Sequence, residues 1–213
     1  MKNEDILNAL QWRYAAKVFD SSKKVSEEDL HTILEAGRLA PSSVGLEPWK
    51  FIVVKNETLR KTLREAAYDQ PKVTDAAYII VIAHRTDAQN LTPELIQRTA
   101  KTQAKAESDL EGLKGMADGS IKGRSQSEDT LQSWLAAQSY IPLGIMIQTA
   151  ALLGIDSGPM EGFHPGQVDD ILGLKSQHLH ATTMLALGHR GDDHHATLPK
   201  TRRSFEEVVE MME

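Results

Sequence analysis

The chain has 213 residues, no cysteine, and a formal charge of −6 at pH 7 with a pI near 5.8. An acidic balance of this kind excludes a general nucleic-acid binder, which needs a basic excess to displace counterions from phosphates. The missing cysteines exclude disulfides, thiolate nucleophiles and Cys-based zinc sites. The length buries most of the apolar surface, so one domain over residues 1–213 is expected. Met1-Lys2-Asn3-Glu4-Asp5 lacks the apolar stretch of a secretory signal, and the expected location is the cytoplasm.

In chain order, Asn3 to Tyr14 reads as a helix with Ile6, Leu7 and Leu10 inward, followed by a polar loop through Asp20 to Lys24. A second helix carries Leu30, Ile33, Leu34 and Leu39 at helical spacing, and Ser26 with Asp29 three residues later reads as its cap. It hands over at Ala40-Pro41-Ser42-Ser43-Val44-Gly45-Leu46-Glu47-Pro48-Trp49 to the β-branched run Phe51 to Val54. Two prolines, two serines and Gly45 make that connection a concave polar turn suited to binding. Glu57 to Tyr68 reads as a helix through Leu59, Leu63 and Ala66, and Tyr78 to Ala83 as a strand covered on both faces. Thr92 to Leu110 reads as a polar helix, and Gly112, Gly115, Gly119 and Gly123 mark a mobile surface segment.

No charged residue occurs between Leu131 and Ile155. Gln132, Ser133, Gln138, Ser139, Pro142 and Gln148 make this stretch too polar for hydrocarbon, so no membrane span is expected. A helix apolar around most of its circumference needs cover on most sides, and a second copy of the chain is a reasonable cover. Beyond it the sequence predicts a turn at Gly158-Pro159, a short helix over Val168 to Leu172, a strand over Thr182 to Leu187 and a polar tail. Alternating helices and few strands predict an α/β or α+β domain. Neither Gly-x-Gly-x-x-Gly after a strand nor Gly-x-x-x-x-Gly-Lys-Ser/Thr occurs, so a nicotinamide cofactor, if used, does not lie on a Rossmann crevice.

Three constellations stand out. Arg13 with Lys17, and Lys200 with Arg202, are basic pairs at opposite ends of an acidic chain, and their types suit one phosphate. Ile155 to Phe163 is a Gly/Pro-bracketed stretch whose backbone amides can donate to a heteroaromatic ring, with the Glu161 carboxylate beside them. His178-x-His180 on one strand face and His194-His195 near the tail make a metal site conceivable, but no carboxylate or third histidine sits at a defined ligand spacing, so no metal is expected. Trp134, Tyr140 and Phe163 read as packing residues.

Taken together, these pieces resemble the nitroreductase family, the FMN-dependent homodimeric reductases related to the oxygen-insensitive bacterial NAD(P)H nitroreductases. The matching pieces are Arg13-x-x-x-Lys17-x-Phe19-Asp20, Ala40-Pro41-Ser42-Ser43 with Pro48-Trp49, Lys72-x-x-Asp75-Ala76, Pro159-Met160-Glu161-Gly162-Phe163 and Leu198-Pro199-Lys200-x-Arg202. They occur in family order over nearly the whole chain. The resemblance implies an α+β nitroreductase-like fold, with a central, mostly antiparallel sheet flanked by helices in an intertwined homodimer that holds two FMN molecules. It implies that Arg13, Lys200 and Arg202 grip the FMN phosphate, with Tyr14 and Ala15 beside them. Lys17 would lie near the pyrimidine end of the flavin, where positive charge stabilises the reduced ring. Main-chain atoms of Pro159, Met160, Glu161 and Gly162 would meet the flavin edge, Gln70 and Lys72 the ring, and Ser42 and Ser43 the flavin of the other subunit.

The activity so implied is reduction of nitroaromatics, quinones or similar small acceptors by NAD(P)H, in two-electron steps that share one cavity. No side chain need act as general acid, and Glu161 is the one candidate to test. Alternatives are a flavin-storage or redox-sensing module without turnover, or another reduction on the same scaffold, such as dehalogenation or enoate reduction. Two departures from the family pattern concern the site. Ala15 stands where many relatives have a phosphate-contacting serine, a loss worth roughly 1.5–3 kcal/mol if not replaced. Val44-Gly45-Leu46-Glu47 stands where an Asn and a Gln are commoner, which bears on substrate contacts.

Overall fold

The computed structural model describes residues 2–212. The elements are α1 (Asn3–Trp12), α2 (Glu27–Arg38), β1 (Trp49–Val54), α3 (Glu57–Ala66), α4 (Lys72–Asp75), β2 (Tyr78–Arg85), α5 (Ala88–Gln103), α6 (Glu111–Lys122), α7 (Glu128–Leu152), β3 (Asp156–Met160), α8 (Pro165–Leu172), β4 (Leu179–Gly188) and α9 (Phe205–Val208). The four strands form one antiparallel sheet in the order β1-β2-β4-β3. This is the expected α+β architecture.

The alternation of side chains on a strand divides the core. Ile79, Val81 and Ala83 of β2, with Met184 and Ala186 of β4, face one way and pack with Leu63 of α3 and Val168 of α8. Ile80 and Ile82 of β2, with Leu185 and Leu187 of β4, face the other way, onto Ile33 of α2 and Met146 and Ala150 of α7. Burial on both faces explains why the run Tyr78 to Ala83 reads as continuously apolar. A third cluster joins α5, α6 and the first half of α7 through Leu91, Leu95, Ala117, Leu131 and Leu135.

Local chemistry sets the boundaries. Ser26 Oγ accepts from the Asp29 amide at 3.0 Å, so the cap at the start of α2 forms as read. The N-terminal helix stops at Trp12, because Arg13 is already extended. Its expected inward face is not inward: Leu7 is 59% and Leu10 41% exposed, and no residue of α1 is buried. The stripe is real, but this chain's own core does not cover it. Likewise α7 is covered on one side only, where Ser139, Met146 and Ala150 are buried, while Tyr140, Ile141, Leu152 and Leu153 stay exposed. By length and composition α7 is apolar enough to cross a membrane, but its inner face packs on α2 and β2.

Three further expectations are corrected. The Gly112 to Gly123 segment is not a mobile loop but lies largely in α6; Leu113, Ala117 and Ile121 recur at a spacing of four and pack on the third cluster, while Gly112, Gly115 and Gly119 face open space. The Gly158-Pro159 stretch is not an exposed turn but strand β3. Proline is tolerated there because β3 lies at the sheet edge, where no partner needs its missing N–H. His178 is not on a strand; it sits in the left-handed region at φ 54° after a short turn, and only His180 belongs to β4. Elsewhere the elements differ from the reading by a few residues, the largest shift being α5, which runs Ala88–Gln103 and carries Pro93 near its start.

Candidate functional site

The segment after α1 runs extended beside the edge strand. Ala15 pairs in parallel with Ser157, and the Ala16 amide donates to the Ser157 carbonyl at 3.0 Å. A Cβ on Gly158 would lie 2.8 Å from the Ala16 carbonyl oxygen and 3.5 Å from Lys72 Cδ, so the bare glycine lets β3, the Arg13 to Lys17 segment and Lys72 close on one another. Two buried carboxylates, neither anticipated from sequence, fasten this arrangement. Asp156 accepts from the Arg190 amide at 2.8 Å and from its Nε at 2.6 Å, and the Arg190 guanidinium stacks over the rings of Trp12 and Tyr14 at 4.3 and 4.7 Å.

Asp193 accepts from the Tyr14 hydroxyl at 2.9 Å, the Lys17 and Val18 amides at 2.8 and 3.2 Å, and the His195 amide and Nδ1 at 3.0 and 2.9 Å. Burial pushes this carboxyl up, but the bonds from Lys17, His195 and Tyr14 outweigh it and hold the acid well below the ordinary carboxylate range. The Tyr14 hydroxyl is raised, by burial first and then by Asp193. Asp193, His194 and His195 place three potential ligand atoms within 4.8 Å of one another, yet both oxygens of Asp193 are already committed to these donors, so the cluster is a hydrogen-bonded anchor for the C-terminal segment.

The anchor brings the two ends of the chain together. A cleft of about 710 Å³ is lined by Arg13, Tyr14 and Ala15 from one end and by His195, Lys200 and Arg202 from the other. Lys200 Nζ donates to the Arg13 carbonyl, and Arg202 donates to the Thr201 carbonyl at 2.8 Å. Among the described residues, no carboxylate lines the cleft. Burial and Arg202 lower the Arg13 guanidinium, and burial, Arg13 and Arg202 lower Lys200, as expected of cations gathered without a counterion. The buried Arg13 Nε has no hydrogen-bond partner. Arg13 therefore meets Lys200 and Arg202 in one cleft, whereas Lys17 does not line it and instead contributes to lowering Lys72.

Lys72 is 4% exposed. Burial, and secondarily Lys17, push its ammonium down to about 8, and no acceptor among the described residues meets it. Gln70 Nε2 donates to the Gly162 carbonyl at 2.7 Å and the Ala67 carbonyl at 3.0 Å, fixing the turn that follows β3. Pro159 and Met160 lie in the strand, Glu161 and Gly162 in the exposed turn. Tyr140, read as packing, is 43% exposed, and its hydroxyl is raised by burial and by the neighbouring Glu161 carboxylate. Ser42 and Ser43 lie apart from this surface within the chain: the Ser43 amide donates to Gln138 Oε1 at 2.8 Å and Ser42 Oγ accepts from the Glu47 amide at 2.8 Å. Arg98 of α5 braces the same turn through the Gly45 carbonyl at 2.9 Å.

The profile of the Nitroreductase family matches residues 10–189 of this chain. A Staphylococcus aureus (strain bovine RF122 / ET3-1) protein, provisionally named an NAD(P)H nitroreductase, is 39% identical over 220 residues that cover 98% of this chain and 96% of its own. The chain belongs to the nitroreductase family. Solved structures agree at the level of the nitroreductase fold. A nitroreductase-like protein from Streptococcus mutans superposes with a TM-score of 0.84 at 21% identity over the full length of both chains. An Exiguobacterium sibiricum protein, provisionally named a nitroreductase and solved in complex with FMN, gives 0.81 at 20% identity over 100% of this chain and 98% of its own. Lys200 and Arg202 lie beyond the stretch that the nitroreductase profile matches, so their place beside Arg13 rests on the geometry of this chain alone.

Proposed function

We propose that the chain is a single-domain, cytoplasmic, FMN-dependent NAD(P)H oxidoreductase that reduces nitroaromatics, quinones or similar small acceptors. The observation that carries this reading is the cleft in which, among the described residues, Arg13, Lys200 and Arg202 gather around no carboxylate while a buried Arg13 Nε has no partner. Such a donor set fits a phosphomonoester. Lys72, buried and with no acceptor among the described residues, fits an electron-rich ring edge. When bound, FMN would supply two-electron redox chemistry between NAD(P)H and the acceptor.

The residues bind, orient and tune. Arg13, Lys200 and Arg202 hold the phosphate tail. The stretch from the end of β3 through Gly162, whose carbonyl Gln70 holds, offers main-chain atoms to the ring edge, and Lys72 and Lys17 favour negative charge there. Glu161 acts through the geometry of its turn. One shared cavity for donor and acceptor gives ping-pong kinetics and accounts for the lack of a separate dinucleotide motif. The uncovered faces of α1 and α7, with Phe205, Met211 and Met212 in the tail, support a homodimer, in which Ser42 and Ser43 would serve the partner's flavin.

The test is direct. Purified protein should be yellow, bleach on addition of NADPH or NADH without oxygen, and cycle with a quinone. A colourless protein that gains no flavin absorbance when FMN is added would falsify the reading, and a yellow protein that bleaches but does not turn over would establish a flavin store instead.

A further inference from the structure

His195 lines the same cleft as Arg13, Lys200 and Arg202, and nothing above gives it a purpose there. Its side chain is 42% exposed, and Nδ1 rests on Oδ1 of Asp193, a carboxylate with no exposed surface. Asp193 is ionised, because the donors around it hold its proton off. An ionised carboxylate only accepts, so the hydrogen must sit on His195 Nδ1. In the neutral ring, Nε2 is then a bare lone pair, which repels an anion. In the protonated ring the same atom is an N–H donor.

The charged and titratable groups around the ring are Asp193 beneath it, His194 with its ring at 3.9 Å, Tyr14 on the other oxygen of Asp193, and Arg13, Lys200 and Arg202 across the cleft. Asp193 lies on the Nδ1 side of the ring, and the three cations line the cleft it faces. A phosphate placed there offers oxygens that accept from the imidazolium and all three cations.

Building on the FMN reading, we propose that His195, as an imidazolium held on Asp193, is a further ligand of the phosphate, so that binding a phosphorylated flavin takes up a proton at this ring. The imidazolium is a donor at Nε2 and the neutral ring with its hydrogen on Nδ1 is not, so the grip on the phosphate loosens as pH rises. No bond is made or broken beyond this proton transfer from solvent.

The experiment measures dissociation constants of FMN and of riboflavin, by flavin fluorescence, for the full-length wild type and His195→Gln between pH 6 and 8.5. Glutamine keeps a polar tip near the Nε2 position but cannot be protonated, and the ratio of the two proteins cancels the titration of the phosphate itself. The expected result is FMN binding about tenfold tighter in the wild type at pH 6, an advantage that shrinks to twofold or less at pH 8.5, with riboflavin bound equally by both. A wild-type advantage that is constant across pH, or an equal loss for riboflavin, overturns the proposal and leaves His195 a support for Asp193. A wild type that binds FMN no better than riboflavin overturns the phosphate reading of the cleft itself, and this inference with it.

Discussion

Lys72 offers a quantitative test, because its side chain is almost wholly buried, Lys17 adds to the depression of its ammonium, and no acceptor among the described residues meets it. Depression from 10.5 to about 8 corresponds to roughly 3 kcal/mol held against the charged form. Below pH 8 the folded, flavin-free protein carries that cost in full. Between 8 and 10.5 the unfolded chain binds the extra proton, so stability rises with pH, and above 10.5 the cost is gone. Replacing Lys72 with the similarly sized Met removes the charge. The flavin-free Lys72→Met protein should therefore be more stable than wild type by up to about 3 kcal/mol at pH 7, and the gap should close toward pH 10.5. Urea unfolding at a series of pH values reads both quantities, and subtracting the variant cancels every other group that titrates there. FMN, placing electron density beside the ammonium, should erase much of the difference and should bind the variant more weakly. A variant less stable than wild type at pH 7, or a gap independent of pH, would refute the view of Lys72 as an uncompensated charge awaiting a ligand.

Other perturbations probe the scaffold. Asp193→Asn turns an amide toward donors that now face an anion, and should cost about 3 kcal/mol in urea unfolding while weakening FMN binding; an unchanged midpoint would show that the anchor is dispensable. Gly158→Ala sets a methyl 2.8 Å from the Ala16 carbonyl and should destabilise by about 1–3 kcal/mol, whereas wild-type stability would mean the Arg13 to Lys17 segment yields freely. His84 is buried between Thr182 Oγ1 at 2.8 Å and Gln132 Oε1 at 3.2 Å, and burial, followed by His180, pushes it from 6.5 down to about 4. The unfolded chain binds the proton first, so stability should fall by roughly 3 kcal/mol as pH drops from 6.5 to 4. His84→Gln should flatten that acid limb, and an unaltered limb would assign the loss to other groups.

What the sequence made legible follows from how local each signal is. The Ser26 cap, the doubly buried β2 and the breaks around the Ser42 turn are written in neighbouring residues, and they form as read. The two basic pairs were readable as residue types suited to a phosphate at the two ends of an acidic chain, although the meeting of Arg13 with Lys200 and Arg202 depends on Asp193, an unremarkable member of an Asp-Asp-His-His run. Asp156 and Arg190, 34 residues apart, carried no signal, since a buried ion pair of this separation exists only once β3 has joined the sheet. Counting glycines in α6 obscured the four-residue recurrence of Leu113, Ala117 and Ile121, and Pro159 suggested a turn because its tolerance depends on β3 being an edge, a fact of topology. The inward assignment of Leu7 and Leu10 failed for a related reason: periodicity identifies an apolar stripe without naming the surface that covers it.

Because the cleft unites residue 13 with residue 202, it has no existence on a growing polypeptide until residue 202 has left the ribosome. Helices and hairpins can settle as they emerge, but the grip on a ligand must wait for the last segment to swing back across the first. A prematurely terminated product that stops short of Lys200 would fold much of its sheet and still lack the means to load, so acquisition of the ligand reports that synthesis has passed that point.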